Sequence, residues 1–313
     1  MRFFKTKNSS SFMRSVVSMY AAAGLFFYTS VFFTSVFFTS AVSGIEPHSG
    51  SSSLSRFMPR IDPAEGVERM ANFRQLRLAG DYCFRFELEH LPRRGPKAVY
   101  AGTLFGGWNA IGPVSRLEIF PGGSEDRDEA AVVELIIQNG RELAVWMRRG
   151  RVGEFKALAG GALFEPIIPG VLYTPFDLQM PFIYWDDFIY EGPGRVLSRV
   201  AQWFRMLPPK GSFVADSVQA VRLGLDDTYD ALLKVEVIGA DGELRTEFKV
   251  ESFKKVQQQY IVKEIALKDV QTRARTRFQV KAASVDLSLN PTLFDPLSGQ
   301  ALPLLPDSLF EEL

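Results

Sequence analysis

The stretch YDALLKVEVIGADGELRTEFKVESF, Tyr229 to Phe253, decides the fold. Leu233, Val235 and Val237 alternate with Lys234 and Glu236, and a period of two marks a strand with one buried face. Gly239-Ala240-Asp241-Gly242 follows, and Asp-Gly between two alternating runs predicts a hairpin. The return strand, Leu244 to Phe253, sets Phe248 and Val250 against Glu247, Lys249 and Glu251. Outward from there, Gln257-Gln258-Gln259 turns the chain into a strand from Tyr260 to Lys268. A last strand, Thr272 to Ala283, places Arg273, Arg275, Arg277, Gln279 and Lys281 on one face and Ala274, Phe278 and Val280 on the other. Four strands with no helix between them, within Asp226 to Pro296, predict a curved antiparallel sheet.

The upstream half reads the same way. Asp62 is a good N-cap, with Pro63 at the first helical position and Glu65 three residues on. The helix it opens should bury Val67, Met70, Ala71 and Phe73 and stop at Gly80. Tyr82, Phe84, Phe86 and Leu88 then alternate with Cys83, Arg85, Glu87 and Glu89 as a first strand. Strands are expected at Ala98–Phe105 and Ser115–Phe120, with an acidic loop over Pro121–Glu129. Asn139-Gly140 joins Ala131–Gln138 to Leu143–Arg148 as a second hairpin.

From Ala162 to Gly194 the alternation breaks. Pro166, Pro169, Pro175, Pro181 and Pro193 interrupt an apolar run that includes Phe176, Phe182, Trp185 and Phe188. Proline at this density excludes a long regular helix or a central strand, so the segment must pack over something. Arg195 to Leu207 suits either a helix or a strand, and Val218 to Leu225 reads as a strand.

The order Leu225-Asp226, Tyr229-Asp230-Ala231-Leu232-Leu233, Asp241-Gly242, Phe253-Lys254-Lys255 and Thr276-Arg277-Phe278 resembles outer-membrane lipoprotein-sorting proteins of the LolA-like superfamily. The likeness is strongest over Tyr173 to Pro296. It implies an α+β, mainly β fold: a curved antiparallel half-barrel around a hydrophobic cavity, covered by helices and lid segments. On that resemblance Arg195 to Leu207 is taken as a strand, and the proline-broken run covers the cavity mouth. The resemblance also implies a buried arginine that bonds the lid, and Arg85 is the candidate by position.

The chain has 313 residues, 46% of them hydrophobic and 27 of them Phe. Lys plus Arg and Asp plus Glu number 36 each, a balance that argues against nucleic acid as a partner. One cysteine, Cys83, excludes an internal disulfide, and two histidines leave little for metal sites or imidazole catalysis. No nucleophile elbow, phosphate loop or metal-ligand spacing is present. Asp186-Asp187 and Asp226-Asp227 are paired acids, but adjacent residues on a strand point to opposite faces and rarely converge. The expectation is no enzyme, no cofactor and no metal.

Arg2, Lys5, Lys7 and Arg14 precede an uncharged stretch from Ser15 to Ile45, and Ala41-Val42-Ser43 presents small residues ahead of Gly44. Residues 1–43 are therefore read as a signal peptide, delivering the protein to the periplasm. The apolar stretch is long enough to leave an uncleaved inner-membrane anchor as the alternative. Residues 44–61 are a Ser-rich tether, 62–296 the LolA-like domain and 297–313 an extended arm.

Two candidate sites follow. Phe84, Phe86, Trp108, Trp146, Phe182, Trp185, Trp203 and Phe204 could line a lipid cavity, with an ordinary filled core as the alternative. Arg273, Arg275 and Arg277 could dock an acidic partner or phospholipid headgroups, or form a solvated face paired with Glu247, Glu251 or Glu264. The function expected is a monomeric periplasmic carrier of lipoprotein acyl chains or other lipid, loaded from an inner-membrane releasing complex and emptied at an outer-membrane acceptor. The alternative is a periplasmic sensor or scaffold that uses the same fold to bind a membrane-protein partner.

Overall fold

The computed structural model describes residues 60–121 and 132–313. The expected signal segment, most of the tether and most of the acidic loop lie outside the described residues. Helix α1 (Pro63–Arg74) leads into β1 (Asp81–Leu91), β2 (Ala98–Trp108), β3 (Pro113–Pro121), β4 (Val133–Gln138), β5 (Ala144–Arg149) and the short β6 (Lys156–Ala157). After an irregular segment containing α2 (Pro175–Gln179) come β7 (Phe188–Val196), β8 (Arg199–Met206), α3 (Phe213–Ser217), β9 (Val218–Asp226) and β10 (Leu232–Gly239). The chain ends with β11 (Leu244–Val256), β12 (Gln259–Asp269), β13 (Arg275–Leu287) and β14 (Glu311–Glu312).

All fourteen strands belong to one open sheet in the order β6-β5-β4-β3-β2-β1-β13-β12-β11-β10-β9-β8-β7, with β14 beside β13. The first half of the chain meanders outward from β1 to one edge. The second half starts at the opposite edge and meanders inward, so β1 and β13 meet mid-sheet as an antiparallel pair. The connection from β6 to β7 must therefore travel from edge to edge. Its apolar residues from Ile167 to Trp185 pack in the main core, so it crosses the concave face as a lid.

Several expected elements are displaced, each for a local reason. Asp62 caps α1 through the Ala64 N–H, but the helix ends at Arg74, and Gly80, at φ +68°, forms the turn into β1. The buried face is Gly66 and Met70 rather than Val67, which is 57% exposed. The helix approaches the sheet at Gly66, where an added Cβ would already touch Tyr190 and Phe204 at 3.5 Å. At Leu233 the ladder with β9 shifts register between Leu232 and Lys234. This bulge sends Leu233 to the convex face with Trp203 and Val196, while Val235 faces the main core. Part of the expected irregular run, Phe188 onward, is the edge strand β7. Pro193 is tolerated there because β7 has only β8 beside it. Arg195 to Leu207 is split by a turn at Leu197, φ +55°, so its start belongs to β7 and the rest to β8. Of the expected tether, Arg60 and Ile61 are described; Ile61 is buried and its N–H donates to the Tyr190 hydroxyl at 3.3 Å.

Candidate functional site

The floor of the concave face is aromatic because β1 alternates. Tyr82, Phe84, Phe86 and Leu88 all turn into the main core. Phe86 stacks on Phe278 of β13 with ring centroids 4.5 Å apart, and Tyr82 stacks on Phe84 at 4.9 Å. Gly102 and Gly106 of β2 lie directly across from Phe86 and Tyr82. A Cβ at either glycine would fall 2.4 and 1.9 Å from those rings, so both rings lie flat on the sheet only because β2 is bare there.

The ceiling is the lid, residues 158–187. It is built from a 3-10 turn at Gly160–Phe164, α2, and a second 3-10 turn at Pro181–Tyr184. Thr174-Pro175-Phe176-Asp177 opens α2 with a full capping box: the Thr174 hydroxyl accepts from the Asp177 N–H, and the Asp177 carboxylate accepts from the Thr174 N–H at 3.0 Å. Met180, at φ +50°, ends α2 in the left-handed region and redirects the chain. Phe176, Phe182 and Trp185 pack in series, the first pair tilted at 5.7 Å and the second edge-on at 6.2 Å, and all are buried.

Polar contacts from several elements fasten this lid. Arg74, the last residue of α1, donates Nε to the Ile183 carbonyl at 2.7 Å and Nη2 to the Trp185 carbonyl at 2.5 Å. Burial pulls the Arg74 guanidinium below its ordinary pKa, and Asp186 nearby acts the other way. The Leu172 N–H donates to the Thr276 hydroxyl of β13 at 3.1 Å, and Thr276 in turn sits 2.9 Å from His90 Nδ1. Gln179 donates to the Gln138 carbonyl of β4 at 3.2 Å. Two lid groups carry electrostatic cost. Burial raises the Asp177 carboxyl to about 6 against the pull of its two Thr174 donors. Burial also drives the Tyr173 hydroxyl well above its usual value, and among the described residues that hydroxyl has no hydrogen-bond partner.

The structure gathers Phe84, Phe86, Phe182, Trp185 and Phe204 into this one core. It does not bring the other three there. Trp203 lies on the convex face, across Gly224 and under Arg222 at 4.7 Å. Trp146 faces away from the core, since its strand neighbours Val145 and Met147 point inward. Trp108 ends β2 at the rim, half-buried under Arg77 at 5.6 Å. Arg85 is not the lid arginine. It faces outward, where it pairs with Asp307 at 2.6 Å and lies 4.0 Å over Phe310. Arg74 bonds the lid from the end of α1, and Arg149 of β5 adds a longer contact to the Ile167 carbonyl at 3.4 Å. In the sequence Arg74 looks like any cation complementing a helix C-terminus. The Thr174–Asp177 box, by contrast, has a sequence signature that predicts a helix start.

The arginine row is shorter than its spacing implies. Arg273 sits in the β12–β13 turn at φ +61°, outside the strand. Arg275 and Arg277 do share a face, and both are paired across strands: Arg275 with Glu251 at 2.5 Å, Arg277 with Glu89 at 3.1 Å and Glu264 at 2.6 Å. Of the paired acids, Asp226 accepts from Arg199 at 2.6 Å and from the Thr228 and Tyr229 N–H groups, which fixes the β9–β10 turn.

No protein-family profile and no curated protein matches the sequence. Solved structures do match. A DUF1329 family protein from Desulfovibrio piger superposes with a TM-score of 0.64 at 12% identity, covering 76% of this chain and 98% of that one. A putative outer membrane lipoprotein-sorting protein domain from Vibrio parahaemolyticus gives 0.61 at 15% identity, over 75% and 97%. A LolA superfamily protein from Nitrosomonas europaea gives 0.54 at 11% identity, over 75% and 97%. The fold of this chain is LolA-like: an open, mostly antiparallel sheet with few helices.

Proposed function

We propose that the protein is a periplasmic carrier that shields acyl chains, in the sorting of lipoproteins between the inner and outer membranes. The observation that carries this reading is the aromatic interior of the half-sheet closed by a lid that one helix-end arginine, Arg74, fastens through two backbone carbonyls. Burying an acyl chain in such an interior gains about 0.8 kcal/mol per methylene with no covalent step. A cargo held that tightly leaves only if the cover moves, and the Arg74 contacts are the place to release it. The lipoprotein-sorting neighbour from Vibrio parahaemolyticus supports the cargo class.

Lipid extraction and mass spectrometry of protein purified without detergent tests the reading. Acyl lipid or lipoprotein near one per chain is the expected result. The dense packing of Phe86, Phe278 and Phe182 within the same interior favours a second reading, a periplasmic sensor or scaffold that binds a membrane protein. A stoichiometric protein partner with no lipid would select it. Sequencing of the mature amino terminus should begin near Gly44, and an intact terminus in the membrane fraction would overturn the freely diffusing carrier.

A further inference from the structure

On the convex face, the tip of the β7–β8 hairpin overhangs β10 to β13 and encloses a groove of about 380 Å³. Arg195, Lys234, Lys249, Lys268 and Arg275 line it against the carboxylates Glu247 and Glu251. The local excess of three positive charges stands out in a chain whose formal charge is zero. The cations are not equally engaged. Lys234 and Arg275 are bridged to carboxylates at 2.7 and 2.5 Å. Lys249 lies 3.9 Å from Glu251, and Arg195 is exposed with no ion pair among the described residues. Leu197 forms the lip, 67% exposed and held at φ +55°, a conformation that bulky side chains ordinarily avoid.

We propose that this groove docks the protein on an anionic lipid surface. Exposed cations recruit anionic headgroups, while a neighbouring exposed leucine enters the acyl boundary beneath them. An acidic polypeptide would answer the charge but would leave Leu197 in water. The weakest of these pairs, Lys249 with Glu251 at 3.9 Å, costs little to exchange for phosphate. The groove is on the opposite face of the sheet from the lid, so docking does not obstruct it. This inference does not depend on what the interior carries.

Co-sedimentation of the full chain with vesicles tests it, comparing phosphatidylcholine alone with phosphatidylcholine plus phosphatidylglycerol at 0.1 M salt. The amino-terminal apolar segment is present in every arm, so its contribution is read from the phosphatidylcholine vesicles and subtracted. Each cation at an anionic surface contributes about fivefold. Arg195→Gln combined with Lys249→Gln should therefore lower partitioning onto the anionic vesicles about 25-fold and leave the neutral vesicles unchanged. The deficit should shrink as salt rises, and Arg195→Lys should restore its share. Leu197→Ser should weaken binding severalfold at every salt. Unchanged melting and acyl-probe binding in the double variant would assign the loss to docking. Equal vesicle binding by wild type and double variant overturns the proposal, and so does charge-dependent capture of soluble polyglutamate without preference for anionic vesicles. Displacement of bound protein by millimolar inorganic phosphate, with no vesicle preference remaining, would identify a free-phosphate site and overturn it too.

Discussion

The lid over the concave face and the arm over the convex face are both proline-broken and rich in leucine or phenylalanine, yet they are fastened differently. The arm, with the residues from 288 that lead into it, joins the sheet. Glu311 and Glu312 pair with Ala283 and Ala282, and the Leu313 N–H donates to the Lys281 carbonyl at 2.8 Å. Its middle rests on a buried cation: Arg116, 1% exposed, donates to the Leu293 carbonyl at 3.0 Å and the Gln300 carbonyl at 2.7 Å. Arg116 and Arg148 share Glu134, itself 2% exposed, at 2.7 and 2.6 Å. Beneath the arm, burial pushes the Cys83 thiol up to about 12 and leaves it unreactive. Among the described residues the lid has no ladder pairing and no buried ion pair; burial of Phe176, Phe182, Trp185 and their apolar neighbours holds it, with Arg74, Arg149 and neutral hydrogen bonds added. Breaking a buried charge cluster costs several kcal/mol, whereas single hydrogen bonds cost about 1–3. One cover is tied to the sheet by strand pairing and buried charge, the other by apolar packing and hydrogen bonds to side chains and carbonyls.

The sharpest way to break this comparison is Glu134→Ala. It strands two guanidinium groups in the core and should cost about 3–5 kcal/mol in urea denaturation. A cost below about 1 kcal/mol would mean the arm is no better fixed than the lid.

Next in size is Asp177, whose folded pKa is raised to about 6. Well below about pH 4 both states are protonated. As pH climbs from about 4 to about 6 the unfolded chain ionises first, so stability falls by about 1–3 kcal/mol and then levels off. Asp177→Asn should flatten that slope, and a variant that keeps it would place the titration elsewhere.

Arg74→Gln should cost about 1–2 kcal/mol. Hydrogen exchange should accelerate at amides 176–185 while those of β14 and its neighbours in β13 stay protected. Acceleration in both covers together would show that they are one cooperative unit. The smallest effects belong to the arginine row. Arg277→Gln should cost about 0.2–1 kcal/mol, and Arg273→Gln, in its turn, should stay within about 0.5 kcal/mol in thermal melts.

The regular half of the molecule was legible because strand alternation is local information. Tyr82 to Leu88 and Arg275 to Lys281 face as their period dictates. The convex placement of Leu233 was not, because one extra residue against β9 flips a side chain without any change in the alternation before it. Trp203 misled for a related reason. Gly194 and Gly224 clear the space its indole fills on the convex face, and those glycines lie on neighbouring strands. The lid's existence was legible from its prolines, but its fastening was not, since Arg74 reaches carbonyls more than a hundred residues away. Carbonyls belong to every residue and leave no trace in composition.

A sheet that does not close has two ends, and each end is a template on which another chain could grow. One end is blunted by brevity, because β6 offers two residues. The other is nine residues long, and Pro193 deletes one amide donor from it. A register shift between Tyr190 and Gly192 bends that strand, and Arg60 lies against Gly192. A ladder started there would be out of step within a few residues. The sheet can therefore stay open without inviting fibre growth at high concentration.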